Sequence, residues 1–414
     1  MKATATPGPI QDAARAIRDG RLVVFPTETV YGLGADALDE HAVNRIYAAK
    51  GRPADNPLIV HLASVDLIAM VADRLPPLAA TLLARFAPGP LTLVLPAHPD
   101  LPPAVTAGLD TVAVRIPRHP VARAFLEACG RPVAAPSANR SGEPSPTTLG
   151  MARASLMAGR GSAEDNELGA RDRASAGGAG GEHDAAGRDA ARREALRGIR
   201  FLDGGPCEVG LESTVASVTE REIVILRPGG ISADDLRAAA PGVAVREAPG
   251  QGEHGPARSP GRMHRHYRPR APVVVHDPAR DDPGELATRL YAVRDRGAGP
   301  VGVIGVGEAV DAAAAAVRRW QETEPHGGRS AGGRARCAAE RAVPTRRTGD
   351  GAPCAAEGAV LMRRAADVAG YARDLYRWFT ELDAAGVRCI VAVMPADRGI
   401  GRAVRDRLER ASGG

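Results

Sequence analysis

From Arg21 to about residue 148 the chain switches repeatedly between two hydrophobic periods, and that alternation confines it to an α/β architecture. RLVVFP, NPLIVHL, LTLVLP, TVAVRIP and RPVAAP are short apolar runs of strand character bounded by Pro and Gly. Between them DEHAVNRIYAAK and HPVARAFLEACG carry apolar residues at helical spacing. The pattern stops at about 151–198, where low-complexity sequence offers almost no large apolar side chain to offset the entropy of ordering. Strands resume at IRFLDGG, STVASV and EIVILRPGG, so this stretch reads as a soft insertion within one domain, residues 1–238. Residues 239–271, which include APGQGEHGPARSPGRMHRHYRPRA, read as a Pro/Gly/basic linker. Beyond it APVVVHD, GVIGVGE and RCIVAVMP alternate with helices such as VAGYARDLYRWFTELDAAG. Residues 272–414 therefore read as a small doubly wound, Rossmann-like domain, with a second soft insertion at about 321–358.

Composition narrows the function. A length of 414 residues suits two domains, and 44% apolar residues suffice to build their cores. No run of about 18 apolar residues occurs and the first residues lack an apolar signal core, so a cytoplasmic location without membrane contact is expected. The five cysteines, Cys129, Cys207, Cys337, Cys354 and Cys389, form no CxxC pair, which argues against a zinc site and fits a reducing compartment. A net charge of +5 favours polyanions, although a solvated Arg-rich surface explains it equally well. Aromatic residues, at 3%, are too few for a base-stacking platform.

Strand parity turns the apolar runs into a candidate site. In TVAVRIP, Val112, Val114 and Ile116 share one face and Thr111, Ala113 and Arg115 the other, because side chains alternate. His61 points away from Leu58, Val60 and Leu62. In EIVILRPGG, Arg227 ends a strand before a Pro-Gly-Gly turn, with Ile223 and Ile225 on its side of the strand. Taken singly, a terminal Arg is more often a solvated cap, and a strand His more often a structural residue. They gain meaning beside FPTETVYGLG, KGRPADNP, PGPLTLVL, APSANRSGEPSPT and GLESTV, loops rich in hydroxyls and glycine whose backbone N–H groups could cradle phosphate. GxxxxGK[ST], GxSxG and HExxH are all absent, so the chemistry expected is positioning and cations aimed at phosphate, without a protein nucleophile.

In order along the chain, FPTETVYGLGADA, KGRPADNPLIVHL, PGPLTLVLP, VAVRIPRHP, APSANRSGEPSPT, DGG, GLESTV and ILRPGG resemble the YrdC-like threonylcarbamoyl-AMP synthase family. The linker and the second α/β unit resemble its long, two-domain form. The resemblance implies a YrdC-like twisted mixed-sheet domain with a concave basic cleft. It also implies a nucleotidyltransferase that makes threonylcarbamoyl-AMP and pyrophosphate from ATP, L-threonine and bicarbonate. Mg²⁺ is expected with ATP, though no protein ligand set for a metal is assigned. The product is expected to feed a downstream tRNA threonylcarbamoyl transferase complex, with weak direct tRNA binding as a further option.

The resemblance also implies roles. Thr29, His61, Arg115, Ala135 and Ser213 are expected to line the threonine pocket, with Arg115 suited to the carboxylate. Arg52, Asn56, Thr111, Ser137, Ser145, Arg227 and Tyr267 are expected to hold ATP, and Lys50 and Arg52 to act catalytically at the phosphates from an exposed turn. Tyr267 and His266 make the linker a candidate lid, against the alternative of a passive tether. Apart from Lys2, Lys50 is the only lysine in the chain, as expected where a compact ammonium fits and a planar guanidinium does not. Two departures stand out: the 151–198 insertion is long for the family, and SPGRMHRHYRP replaces the more usual SPGM followed by a basic or aromatic pair. A non-catalytic RNA-binding protein and a YrdC-like carbamoyl transfer domain remain the rival readings.

Overall fold

The computed structural model describes residues 7–158, 181–248, 267–293, 299–323 and 359–413. The first unit is a ten-stranded mixed sheet. In chain order its strands are β1 (Val23–Phe25), β2 (Gly32–Asp36), β3 (Ile59–His61), β4 (Leu91–Pro96), β5 (Thr111–Arg115), β6 (Val133–Ala134), β7 (Arg200–Phe201), β8 (Thr214–Val218), β9 (Glu222–Arg227) and β10 (Ala244–Glu247). Their spatial order is β10-β9-β8-β4-β5-β3-β6-β2-β1-β7. Strand β5 runs parallel to β3 and antiparallel to β4, so the sheet is mixed at its centre.

Strand alternation sorts the side chains to two faces. Val24, Val60, Val112, Val114 and Ile116 enter the main core with the helix Glu40–Lys50. On the other face Val23 and Phe25 pack with the helices Pro7–Arg18 and Pro120–Cys129. Farther along that face lies only a small cluster, Ile59, Val94, Ala113 and Val215. The functional side chains gather in this thinly covered region.

Local chemistry fixes the helices beside it. Asp39 accepts from the N–H groups of His41 and Ala42 to open Glu40–Lys50, and Gly51 closes it at φ 61°. Pro120 opens the helix Pro120–Cys129, whose cap is the His119 ring accepting from Val121 N at 3.2 Å.

The second unit is a parallel sheet of β11 (Val273–His276), β12 (Val301–Val306), β13 (Val360–Ala365) and β14 (Cys389–Val393), ordered β11-β14-β12-β13. The helices Val368–Ala384 and Ile400–Ser412 cover one face; Pro283–Tyr291 and Glu308–Thr323 cover the other. This is the doubly wound arrangement the sequence predicts. Val30 and Leu211 of the first unit share a core with Tyr371, Tyr376 and Leu408 of the second, so the two units meet through apolar packing. No helix among the described residues is long and apolar enough to cross a membrane.

Several elements differ from expectation. YGLGADA, which reads as loop, supplies the wholly buried strand β2. Its glycines serve packing: a Cβ on Gly34 would sit 2.7 Å from Val133 Cγ1. The stretch assigned to the linker contains β10, an edge strand whose half-exposed AVRE sequence gives no clear alternation. Much of the expected insertion at 151–198 is helical. Leu149–Met157 finishes one helix and Gly181–Ala195 forms another, which docks by burying Ala195 and Leu196 against the main core. Arg192 ties it down by donating to Ala49 O, Ala158 O and Leu156 O, three carbonyls at or near helix ends. Of the second insertion, residues 321–323 complete the helix Glu308–Thr323, and 324–358 lie outside the described residues. Among the cysteines, Cys129, Cys207 and Cys389 are buried free thiols, and Cys337 and Cys354 lie outside the described residues.

Candidate active site

A cleft opens on the thinly covered face of the large sheet. Its walls are the turn after β1, the segments around Pro57 and Ala135, the ends of β3, β5 and β9, and Tyr267. Of the expected site residues, Thr29, Arg52, His61, Arg115, Ala135, Ser137, Ser213, Arg227 and Tyr267 line it.

The turn after β1 is built by Thr27. Its hydroxyl donates to Val30 O at 2.6 Å and accepts from the N–H groups of Thr29 and Val30 at 3.2 Å. This sets Thr29 beside Arg115, whose Nη1 donates to Thr29 Oγ1 at 2.8 Å. Arg115 is anchored behind by Nε to Gly89 O and by Glu28, whose Oε1 lies 2.9 Å from Nη2. That last contact is a buried ion pair. Burial pushes the Glu28 carboxyl up, but the Arg115 charge and the Arg118 N–H reverse the effect and hold it below the usual carboxylate range.

His61 is 4% exposed, packs edge-on against Phe25, and places Nδ1 3.2 Å from Ile59 O. Burial, reinforced by the Arg115 charge, lowers its pKa to about 3, so the imidazole is neutral at pH 7. A carbonyl can only accept, so Nδ1 carries the proton in that bond.

Two further arginines face the same space. Arg52 donates Nη2 to Asn56 Oδ1 at 2.6 Å and to Pro57 O at 2.8 Å, holding the KGRPADNP loop against its own helix end. Arg227 donates Nη2 to Ser213 O at 3.0 Å, and Ser213 Oγ lies 2.7 Å from Thr92 Oγ1. Strict alternation puts Arg227 on the core side with Ile225. A β-bulge between Val215 and Ala216 inserts one residue of β9, sets Arg227 opposite Val215 and turns it into the cleft. The turn that follows needs glycine, since a Cβ on Gly229 would lie 2.2 Å from Thr214 N.

The remaining expected residues stand around this cleft and do not line it. Asn56 is buried behind Arg52. Thr111 starts β5, four residues from Arg115 and so about 13 Å along the strand from it. Ser145 Oγ donates to Glu212 Oε1 at 2.5 Å. Lys50 departs most from expectation. It is the last residue of its helix, only 4% exposed, and its ammonium donates to Ser137 O and Asn139 O at 2.5 Å. The exposed turn begins one residue later, at Gly51. Desolvation, with the Arg52 charge adding to it, holds the Lys50 pKa well below the ordinary lysine value. His266 lies outside the described residues.

Glu28, Glu212, Tyr376 and Arg407 are the site residues that sequence reading passes over. The two glutamates sit inside quoted motifs, PTETV and GLESTV, but acids are not obvious parts of an anion-binding loop. Tyr376 and Arg407 come from the second unit, where no motif marks them. The described residues contain no group of three or more His, Cys, Asp or Glu placed to hold a metal ion. Glu28 and Glu212 are each paired with an arginine, so this cleft offers a resident Mg²⁺ no cage.

A cleft of arginines, hydroxyls and one neutral imidazole on a mixed sheet, with a doubly wound unit packed beside it, defines a two-domain YrdC-like enzyme architecture. The family described as "Telomere recombination" matches residues 15–160, and the one described as "Threonylcarbamoyl-AMP synthase, C-terminal domain" matches residues 231–413. The threonylcarbamoyl-AMP synthase of Pyrococcus abyssi is 36% identical over 404 residues, covering 98% of this chain and 94% of that one. The Bacillus subtilis synthase is 43% identical over 267 residues, 64% of this chain and 66% of that one. The crystal structure of P. abyssi Sua5 complexed with L-threonine superposes with a TM-score of 0.70 at 34% identity, over 98% of this chain and 94% of that one. The chain belongs to the threonylcarbamoyl-AMP synthase family, a family of enzymes.

Proposed function

We propose that this cleft makes threonylcarbamoyl-AMP from ATP, L-threonine and bicarbonate. The observation that carries the reading is the division of the cleft's cations into two groups. Arg115 pairs with Glu28 and donates to Thr29, while Arg52 is tied to Asn56 and Pro57 and Arg227 to Ser213. Two anionic substrates can then be held in one cleft without sharing a cation.

In this reading the Arg115 fork takes the threonine carboxylate, Thr29 and Ser213 flank it, and Ala135 leaves room for the methyl group. Neutral His61 adds no second cation to compete for that carboxylate. Arg52 and Arg227 take the ATP phosphates, Tyr267 covers the nucleotide, and Ser137, Ser145, Asn56 and Thr111 complete its surroundings. Mg²⁺ enters on the phosphates as part of the substrate. The threonine amine and bicarbonate condense to a carbamate with loss of water. A carbamate oxygen then attacks the α-phosphorus, the P–O bond to the β-phosphate breaks, and its electron pair leaves with pyrophosphate. Lys50 contributes by fixing the carbonyls of Ser137 and Asn139, and so the loop that carries Ser137 and Ser145. The concave basic cleft expected from the motifs is part of this proposal. So are a cytoplasmic site of action, transfer of the product to a tRNA-modifying complex, and any weak direct contact with tRNA.

Pyrophosphate release tests the reading. It should require threonine, and serine should support it less, by the about 1 to 3 kcal/mol that one methyl group commands in a small apolar niche. Release that is indifferent to threonine would reject the proposal.

A further inference from the structure

Glu212 is a carboxylate in the wall of an anion-binding cleft, 6% exposed and close enough to Arg227 for each to act on the other's charge. Left alone it would repel polyphosphate and compete for that arginine. The second unit supplies its counter-charge. Arg407, on the helix Ile400–Ser412 and 0% exposed, donates Nε to Glu212 Oε2 at 2.9 Å and Nη2 to Pro228 O at 3.1 Å. Tyr376, on the helix Val368–Ala384, donates its hydroxyl to Glu212 Oε2 at 3.1 Å. On its far side Arg407 meets Asp406, which Arg410 also pairs. The run Arg410, Asp406, Arg407, Glu212 alternates in sign, so the Glu212 charge is met by an opposite charge from the second unit.

The same two side chains hold Tyr267. Tyr376 stacks on its ring at 5.6 Å between centroids and 24° between planes, and the Arg407 guanidinium sits 5.1 Å over that ring. Tyr267 needs such support because its φ of +67° lies in the left-handed region, which costs a non-glycine residue energy.

We propose that Arg407 is a positioning residue for nucleotide binding, supplied by the second domain. It neutralises Glu212, so that Arg227 serves phosphate, and with Tyr376 it fixes Tyr267 at the cleft wall. The inference deepens the functional reading above and rests on ATP as the ligand of the Arg52 and Arg227 side.

Calorimetric titration of the full chain with ATP and, separately, with threonine tests it. Arg407→Met should weaken ATP binding by about tenfold or more, because a buried carboxylate is left unpaired beside the phosphates, and should change threonine affinity by less than about twofold. Adding Glu212→Gln to that variant should recover most of the lost ATP affinity, which a packing role for Arg407 would not predict. Wild-type ATP affinity in Arg407→Met, or a loss that Glu212→Gln leaves in place, overturns the proposal. If Arg407→Met fails to fold, the double variant Arg407→Met/Glu212→Gln decides: with the buried carboxylate and its counter-charge both removed it should bind ATP within about threefold of wild type, and a larger loss overturns the electrostatic role. A wild-type chain that binds no ATP rejects the functional reading itself, a result distinct from either variant outcome.

Discussion

Lys50 ends its helix with its ammonium between the carbonyls of Ser137 and Asn139, and a guanidinium has no room there unless one of them moves. Lys50→Arg is therefore expected to lower stability and activity together. Overfilling a packed site costs about 1 to 3 kcal/mol, and displacing Ser137 disturbs the cleft wall. Thermal melting alongside product yield checks this; lost activity with unchanged melting would return Lys50 to a direct role at the phosphates. His61 carries a prediction of opposite character. Its folded pKa of about 3 lies below the ordinary histidine value of 6.5, so between those values the unfolded chain binds more protons. Its contribution to stability is whole above pH 6.5 and is lost as pH falls toward 3, at a slope of up to about 1.4 kcal/mol per pH unit. Urea unfolding at pH 5 and pH 7 should show a smaller difference in His61→Gln than in wild type. His119, also lowered by burial, adds to the slope in both chains. An unchanged difference would mean that His61 is not buried neutral.

At the scale of elements, what could be read in advance followed from periodicity. Val112, Val114 and Ile116 enter the core and Arg115 the cleft because β5 is regular, and parity is then enough. Arg227 reaches the cleft against its parity, since a bulge is set by pairing with β8 and leaves no mark in EIVILRP. Strand β2 was hidden by its own glycines, which the close approach of Val133 requires. The helix Gly181–Ala195 was hidden by composition: its order comes from docking, with Arg192 reaching three carbonyls, and not from an apolar stripe of its own. Arg192→Ala should accordingly cost about 1 kcal/mol or more in urea unfolding, since three carbonyls at or near helix ends lose their donor. A change within about 0.3 kcal/mol would mean that the helix is not held by these bonds.

For the whole molecule, the arrangement of the two units explains why no single stretch of sequence contains the site. In the proposed reading, threonine-side residues come from β3, β5 and the turn after β1, phosphate-side residues from the KGRPADNP loop and β9, and the groups that orient Glu212 and Tyr267 from two helices of the second sheet. The motifs reveal the first two sets because each lies in a local loop. Arg407 is legible only in three dimensions, 195 residues from its partner Glu212. In the proposed reading the carbamate is built from bicarbonate inside the cleft and passed to the nucleotide there. The most direct measurement is mass spectrometry of the product formed by the full chain from ATP, threonine and ¹³C-labelled bicarbonate. The account predicts threonylcarbamoyl-AMP carrying the label in its carbamate carbon, with pyrophosphate as co-product. An adenylate without the label, or threonine-independent formation of AMP alone, would contradict it.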